Sequence, residues 1–153
     1  MTNATENFDL EAMMDDSLDG IPEAPDFVDP PKGHYLLQVT EVPKISKFQN
    51  EDGTERQNIR VTFSVVETVS TDEVPVPDGS LFSNSYMGTA QGVGAFRRDA
   101  RKILGVDTLE GSTLKEIFEN LPGAEPFKAT ITYKSYKSKK DGLMKEAMRM
   151  SIS

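Results

Sequence analysis

PFKATITYKSYKSKKDGLMKEAMRMSIS, residues 126–153, carries the reading of the whole chain. Phe127, Ala129, Ile131 and Tyr133 alternate with Lys128, Thr130, Thr132 and Lys134. That is the period of a strand with one buried face. Met144, Glu146, Met148, Met150 and Ile152 alternate in the same way with Lys145, Ala147, Arg149 and Ser151. Glu146 breaks the apolar side near the tip, where an edge is wet. Asp141-Gly142 is a turn pair, because glycine takes positive φ without a steric penalty. The stretch therefore reads as a closing β-hairpin with a basic tip. Residues 128–149 hold seven Lys/Arg against Asp141 and Glu146, with Tyr136 among the lysines. Such a tip has the composition to contact a phosphate backbone and stack a base. The plainer alternative is an edge kept soluble by lysines.

The charge is divided unevenly along the chain. The formal net charge is −8 over 153 residues. Residues 1–30 hold nine acids (Glu6, Asp9, Glu11, Asp15, Asp16, Asp19, Glu23, Asp26, Asp29) and no Lys or Arg. The remainder carries all 17 basic and 16 acidic side chains, close to neutrality. The reading is an acidic arm, 1–30, that is flexible or docks a partner, and one domain, 31–153. In the arm, Phe8, Leu10, Met13, Met14 and Leu18 lie among Asp15, Asp16 and Asp19. They fit either a short amphipathic helix that docks on a protein or a disordered leader. The acids also let the arm compete with nucleic acid for a basic surface. Pro22, Pro25, Pro30 and Pro31 end any helix.

Composition excludes several chemistries. The absence of cysteine removes disulfides, thiolate zinc sites and a Cys nucleophile. His34 alone cannot build a multi-histidine metal site, and it reads as structural or incidental. No run of 18 apolar residues exists and the N-terminus lacks an apolar signal core, so the expectation is a cytoplasmic protein with no membrane span. No cofactor and no metal are expected.

Working back from the hairpin, residues 113–121 (TLKEIFENL) read as a short helix, with Thr113 and Glu116 as a capping box. Residues 89–104 read as the main helix, capped by Thr89 and stopped by Gly105. Arg97, Arg98, Arg101 and Lys102 cluster away from its apolar face of Val93, Phe96, Ala100, Ile103 and Leu104. Residues 80–87 form a polar strand that buries either Phe82 and Tyr86 or Leu81. The clearest strand is 57–69, with Ile59, Val61, Phe63 and Val65 inward. Residues 33–41 form the first strand. The stretch 42–56 reads as a long connection, in which Lys44 and Lys47 flank Phe48.

The order is three strands, a helical segment and two strands. That is the order of an OB-fold, a mainly β, five-stranded Greek-key barrel with a helix between strands three and four. Such barrels bind oligonucleotides or oligosaccharides on strands two and three and on the loops joining strands one to two and four to five. Those loops are 42–56 and 135–142, the two places where lysines accompany an aromatic.

The chain resembles the small OB-fold single-stranded DNA-binding proteins encoded by bacteriophages. The resemblance rests on the leader FDLEAMMDDSLDGIPEAPDF, on PPKGHYLLQV, on the strand NIRVTFSVVE and on the helix end ARKILGV. It covers most of the chain without a strict motif. Bacterial single-strand binders carry their acidic docking tail at the C-terminus, whereas the acidic segment here is N-terminal. The resemblance implies a role in viral DNA replication, recombination or repair, in the host-cell cytoplasm. It also implies single-stranded DNA as partner, with replication or recombination proteins recruited through the arm.

On this reading Lys44, Lys47, Arg56, Arg60, Lys134, Lys137, Lys139 and Lys140 neutralise phosphates. Phe48, Tyr136 and Tyr86 stack bases. Two rivals stand beside it. One is a β-barrel protein–protein interaction or virion structural module that assembles through its arm as an oligomer. The other is a hydrolase using Glu67, Asp72 and Glu73, which an exposed acidic turn explains better. The expectation is a binding protein, not an enzyme.

Overall fold

The alternation in the sequence becomes strands that pair partly with chain neighbours and partly, through β1, across the chain. The computed structural model describes residues 9–17, 19–20, 26–139 and 141–153. Its elements are β1 (Gly33–Val39), β2 (Lys44–Gln49), β3 (Glu55–Thr71), β4 (Leu81–Met87), α1 (Ala90–Leu104), α2 (Leu114–Asn120) with a 3-10 turn (Leu121–Gly123), β5 (Phe127–Lys137) and β6 (Met144–Ile152). The strands form one six-stranded antiparallel sheet in the order β2-β3-β1-β5-β6, and β4 pairs with β3. The protein is therefore mainly β with two short helices. Six strands replace the five expected, and among the described residues β4 and β6 do not pair.

The extra strand lies inside the stretch read as a connection. Lys44 faces Arg60 and Gln49 faces Glu55 across a ladder to β3. β1 uses the rest of β3, with Val39 opposite Phe63. The chain leaves the ladder between them at Pro43, which is buried and has no N–H to donate. Alternation did not reveal β2 because its two large apolar residues, Ile45 and Phe48, fall on opposite faces.

The core lies on one face of the sheet. Tyr35, Leu37, Val39, Ile59, Val61, Phe63, Val65, Phe127, Ala129, Ile131 and Ile152 are buried there with Phe82 and Tyr86. That settles the inner face of β4 in favour of Phe82 and Tyr86. Phe63 stacks on Phe82 at 5.4 Å and meets Phe127 edge-on at 5.9 Å. Tyr86 meets Phe96 of α1 at 5.4 Å, and Phe96 meets Phe118 of α2 at 5.6 Å. These rings fasten both helices to the sheet, each pair adding about 0.5–1.5 kcal/mol beyond burial. The helix ends follow the sequence. Thr89 accepts from the Gly92 N–H, Thr113 accepts from the Glu116 N–H, and Gly105 donates to the last carbonyls of α1.

The end of the acidic arm belongs to the body. Asp26 and Val28 bond to both backbone groups of Leu81 on the free edge of β4, at 2.9 and 2.8 Å. Phe27 forms a parallel bridge there. Pro30 is fully buried, and its carbonyl accepts from the Tyr133 hydroxyl; the Pro31 carbonyl accepts from Tyr35. Residues 26–31 thus form a strap on the sheet. Further out, backbone bonds Met13 to Leu10 and Asp16 to Met13 make consecutive turns where a short helix was one reading. Phe8 and Leu18, named for docking, lie outside the described residues. Leu10, Met14, Asp15, Asp16 and Asp19 are exposed, and Met13 is half-buried. No helix among the described residues is long and apolar enough to cross a membrane.

Candidate nucleic-acid interface

The pleat sorts the expected residues by face. Side chains two apart on a strand share a face, and directly paired residues share it across the ladder. Lys44 pairs with Arg60, Ser46 with Asn58 and Phe48 with Arg56. On β4, Ser85 continues the row from Arg60 and Met87 the row from Asn58. Lys44, Phe48, Arg56 and Arg60 therefore lie together on the outer face, backed by the buried Ile59 and Val61. All four are exposed, Phe48 at 38%. Lys47 pairs with Gln57 on the opposite face, beyond the core.

Two of the four are held in place. Arg60 donates from Nε and from a terminal nitrogen to Ser83 Oγ, at 3.1 and 3.0 Å. The Arg56 guanidinium lies 5.0 Å from the centroid of the Phe48 ring, a cation–π contact. Arg56 covers one side of the ring, so a stacked base has the other side or takes the place of Arg56. Lys44 reaches Glu41 at 4.0 Å in an exposed pair worth little.

Tyr86 must be removed from the stacking set. It is buried, at 7% exposure, and its hydroxyl donates to Asp99 at 2.7 Å. A base cannot reach the ring without opening the core. Asp99 itself, buried at 4%, escaped notice because an acid in a helix reads as a solvent-facing residue.

The hairpin divides in the same way. Lys134 pairs with Ala147 and Tyr136 with Lys145, while Thr132 pairs with Arg149. These residues share the outer face, since Ile131 and Tyr133 alternate with them toward the core. Tyr136 is 46% exposed. Lys145 and Arg149 thus join Lys134 and Tyr136, although reading one strand at a time did not single them out. Lys145 lies 3.3 Å from Asp141. The Leu143 backbone N–H, and then Lys145, hold the Asp141 carboxyl below its ordinary range. Lys137 falls on the other face, opposite Met144. Lys139 is exposed in the turn, and Lys140 lies outside the described residues.

Strand pairing alone does not bring the two tips together. The β2–β3 tip lies beyond the Val39 end of β1, and the β5–β6 tip beyond its Gly33 end. The two halves of the sheet approach each other at a cleft of about 380 Å³ lined by Arg60, Phe82 and Ser83, by Met148 of β6, and by Phe27, Val28 and Asp29 of the strap. The acidic arm therefore enters the body beside Arg60. Asn58, between Arg56 and Arg60, carries a buried amide oxygen with no hydrogen-bond partner among the described residues. Sequence reasoning missed it, and no single-strand signal marks it. Among the described residues no three His, Asp or Glu form a group able to hold a metal. No protein-family model and no curated protein sequence matches the chain.

Proposed function

We propose that the protein binds single-stranded DNA without strict sequence preference across the outer face of β2, β3 and β4, as a non-catalytic partner in replication, recombination or repair. The observation that carries this reading is the alignment of Lys44, Arg56 and Arg60 with Phe48 on one exposed face. Cations spaced along a strand neutralise phosphates, and an aromatic beside them gives any base a stacking surface.

An OB-fold-like arrangement supports the same reading. β1 and β2 serve as one first strand interrupted near Pro43, because both pair with the same strand, β3, in one direction. Counted so, the order is three strands, helices and two strands, with the first strand between the second and the fourth. The edge of β4 that a closing strand would use is occupied at Leu81 by the strap. The outer hairpin face, with Lys134, Tyr136, Lys145 and Arg149, adds a second basic surface.

The test is fluorescence anisotropy of a labelled oligo-dT strand, with a matching duplex as control, in low and high salt. Tight, salt-sensitive binding of the single strand and weak binding of the duplex is the expected result. No binding of either at low salt, by the full chain and by a chain lacking residues 1–25, overturns the reading.

A further inference from the structure

Two clefts meet along α1, away from the β2–β3–β4 face. One, of about 240 Å³, is lined by Val93, Phe96, Leu109, Leu114, Ile117 and Arg97, among others. Its floor is apolar, with Phe96, Leu109 and Ile117 buried, and Val93 and Leu114 stand exposed at its rim. The other, of about 290 Å³, is lined by Arg97, Arg98 and Arg101 with Asp107, Thr108 and Leu109. Arg97 and Leu109 belong to both, so a single groove runs from apolar to basic. Arg98 is engaged with Asp99 at 3.2 Å, whereas Arg97 and Arg101 form no ion pair among the described residues.

A nucleic-acid strand matches only half of this groove. The arginines suit phosphate, but the exposed rim is aliphatic and Phe96 is buried, so no ring is offered to a base. A peptide with apolar anchors followed by acids matches both halves. The chain contains such a peptide in residues 9–17, DLEAMMDDS. Leu10 and Met14, four residues apart, are 70% and 80% exposed, and Asp15 and Asp16 follow directly. In the single chain the arm's anchors and the rim of the groove both stand open, and a second copy supplies the matching peptide to each.

We propose that the α1–α2 groove receives residues 9–17 of a second copy, with Leu10 and Met14 in the apolar part and Asp15 and Asp16 against Arg97 and Arg101. The contact joins two different surfaces, so it is head-to-tail and builds rings or open chains rather than a closed two-fold dimer. It does not rest on the DNA-binding reading, and its association measurements contain no DNA.

The test is sedimentation velocity of the full chain over a concentration series in low and high salt. The expected result is self-association that salt weakens. The pair Arg97→Glu with Arg101→Glu weakens it by about tenfold or more, as does Asp15→Arg with Asp16→Arg, and combining all four restores it. Circular dichroism checks folding. Because Arg101 is half-buried, the exposed pair Leu10→Ser with Met14→Ser gives an independent variant that also lowers association. A chain monomeric at every concentration overturns the proposal. So does association that both charge reversals leave intact, or one that the combined variant fails to restore. A labelled peptide of residues 9–17 is expected to bind the intact protein and to survive excess oligo-dT. Displacement by oligo-dT would assign the groove to nucleic acid instead.

Discussion

Tyr86 and Asp99 are both buried and joined by a 2.7 Å hydrogen bond. Burial first, and then the bond to the carboxylate, raises the hydroxyl well above its ordinary 10.0. The folded chain therefore keeps a proton that the unfolded chain releases near pH 10. Stability from this group is complete below that pH and is lost as the pH rises beyond it. Burial moves Tyr35 and Tyr133 in the same direction. Urea midpoints are thus expected to fall above about pH 10, and Tyr86→Phe is expected to make that fall shallower; an equal slope in both proteins would break the link to Tyr86. At the surface, Phe48 and Tyr136 are the exposed rings of the proposed interface. Stacking contributes about 1–3 kcal/mol per base, so Phe48→Ala with Tyr136→Ala should weaken oligo-dT binding by about tenfold or more with the fold intact. Unchanged anisotropy titrations would remove the stacking role. Of the three rings chosen from the sequence, Tyr86 is buried and Phe48 and Tyr136 are exposed. Nothing in the tripeptide around a tyrosine says that a helix will cover it.

At the scale of elements, α1 begins where β4 ends, and Gly92 makes that close approach possible. A Cβ at Gly92 would lie 2.0 Å from the Met87 carbonyl oxygen, whereas one at Gly94 meets nothing within 4 Å. Gly92→Ala is expected to cost about 1–3 kcal/mol by overpacking against backbone. Gly94→Ala is expected to stabilise by about 0.5–1 kcal/mol through helix propensity. Chemical denaturation of the two variants decides, and shifts of the same sign would contradict the close packing of α1 on β4. The arm separates into two parts on the same grounds. Removing residues 1–25 takes away seven acids and leaves the strap, whose Asp29 lines the Arg60 cleft. That chain should bind oligo-dT more tightly at low salt. Removing 1–30 also deletes the strap bonds to Leu81 and the buried Pro30, and should lower the denaturation midpoint. Equal affinity of the full and 1–25-deleted chains would end the competition idea.

For the molecule as a whole, the net charge of −8 hides where the cations stand. The β2–β3–β4 face and the outer hairpin face present Lys44, Arg56, Arg60, Lys134, Lys145 and Arg149. A strand that meets about four to six of them gives a log–log salt slope of roughly −3 to −4. A slope near zero in the anisotropy series would mean that these cations do not hold phosphates. The strands with one apolar face, the two capped helices, the turn at Asp141-Gly142 and the acidic N-terminal segment are legible along the chain. Each of these is a local property, set by side-chain period or by a single capping residue. It took the folded chain to make 44–49 a strand, to put Tyr86 and Asp99 in the core, to turn Lys47 and Lys137 off the faces of their neighbours, and to strap 26–31 on the sheet. Those outcomes depend on partners outside each stretch, because backbone pairing supplies β2 and the strap with hydrogen bonds that their side chains do not announce.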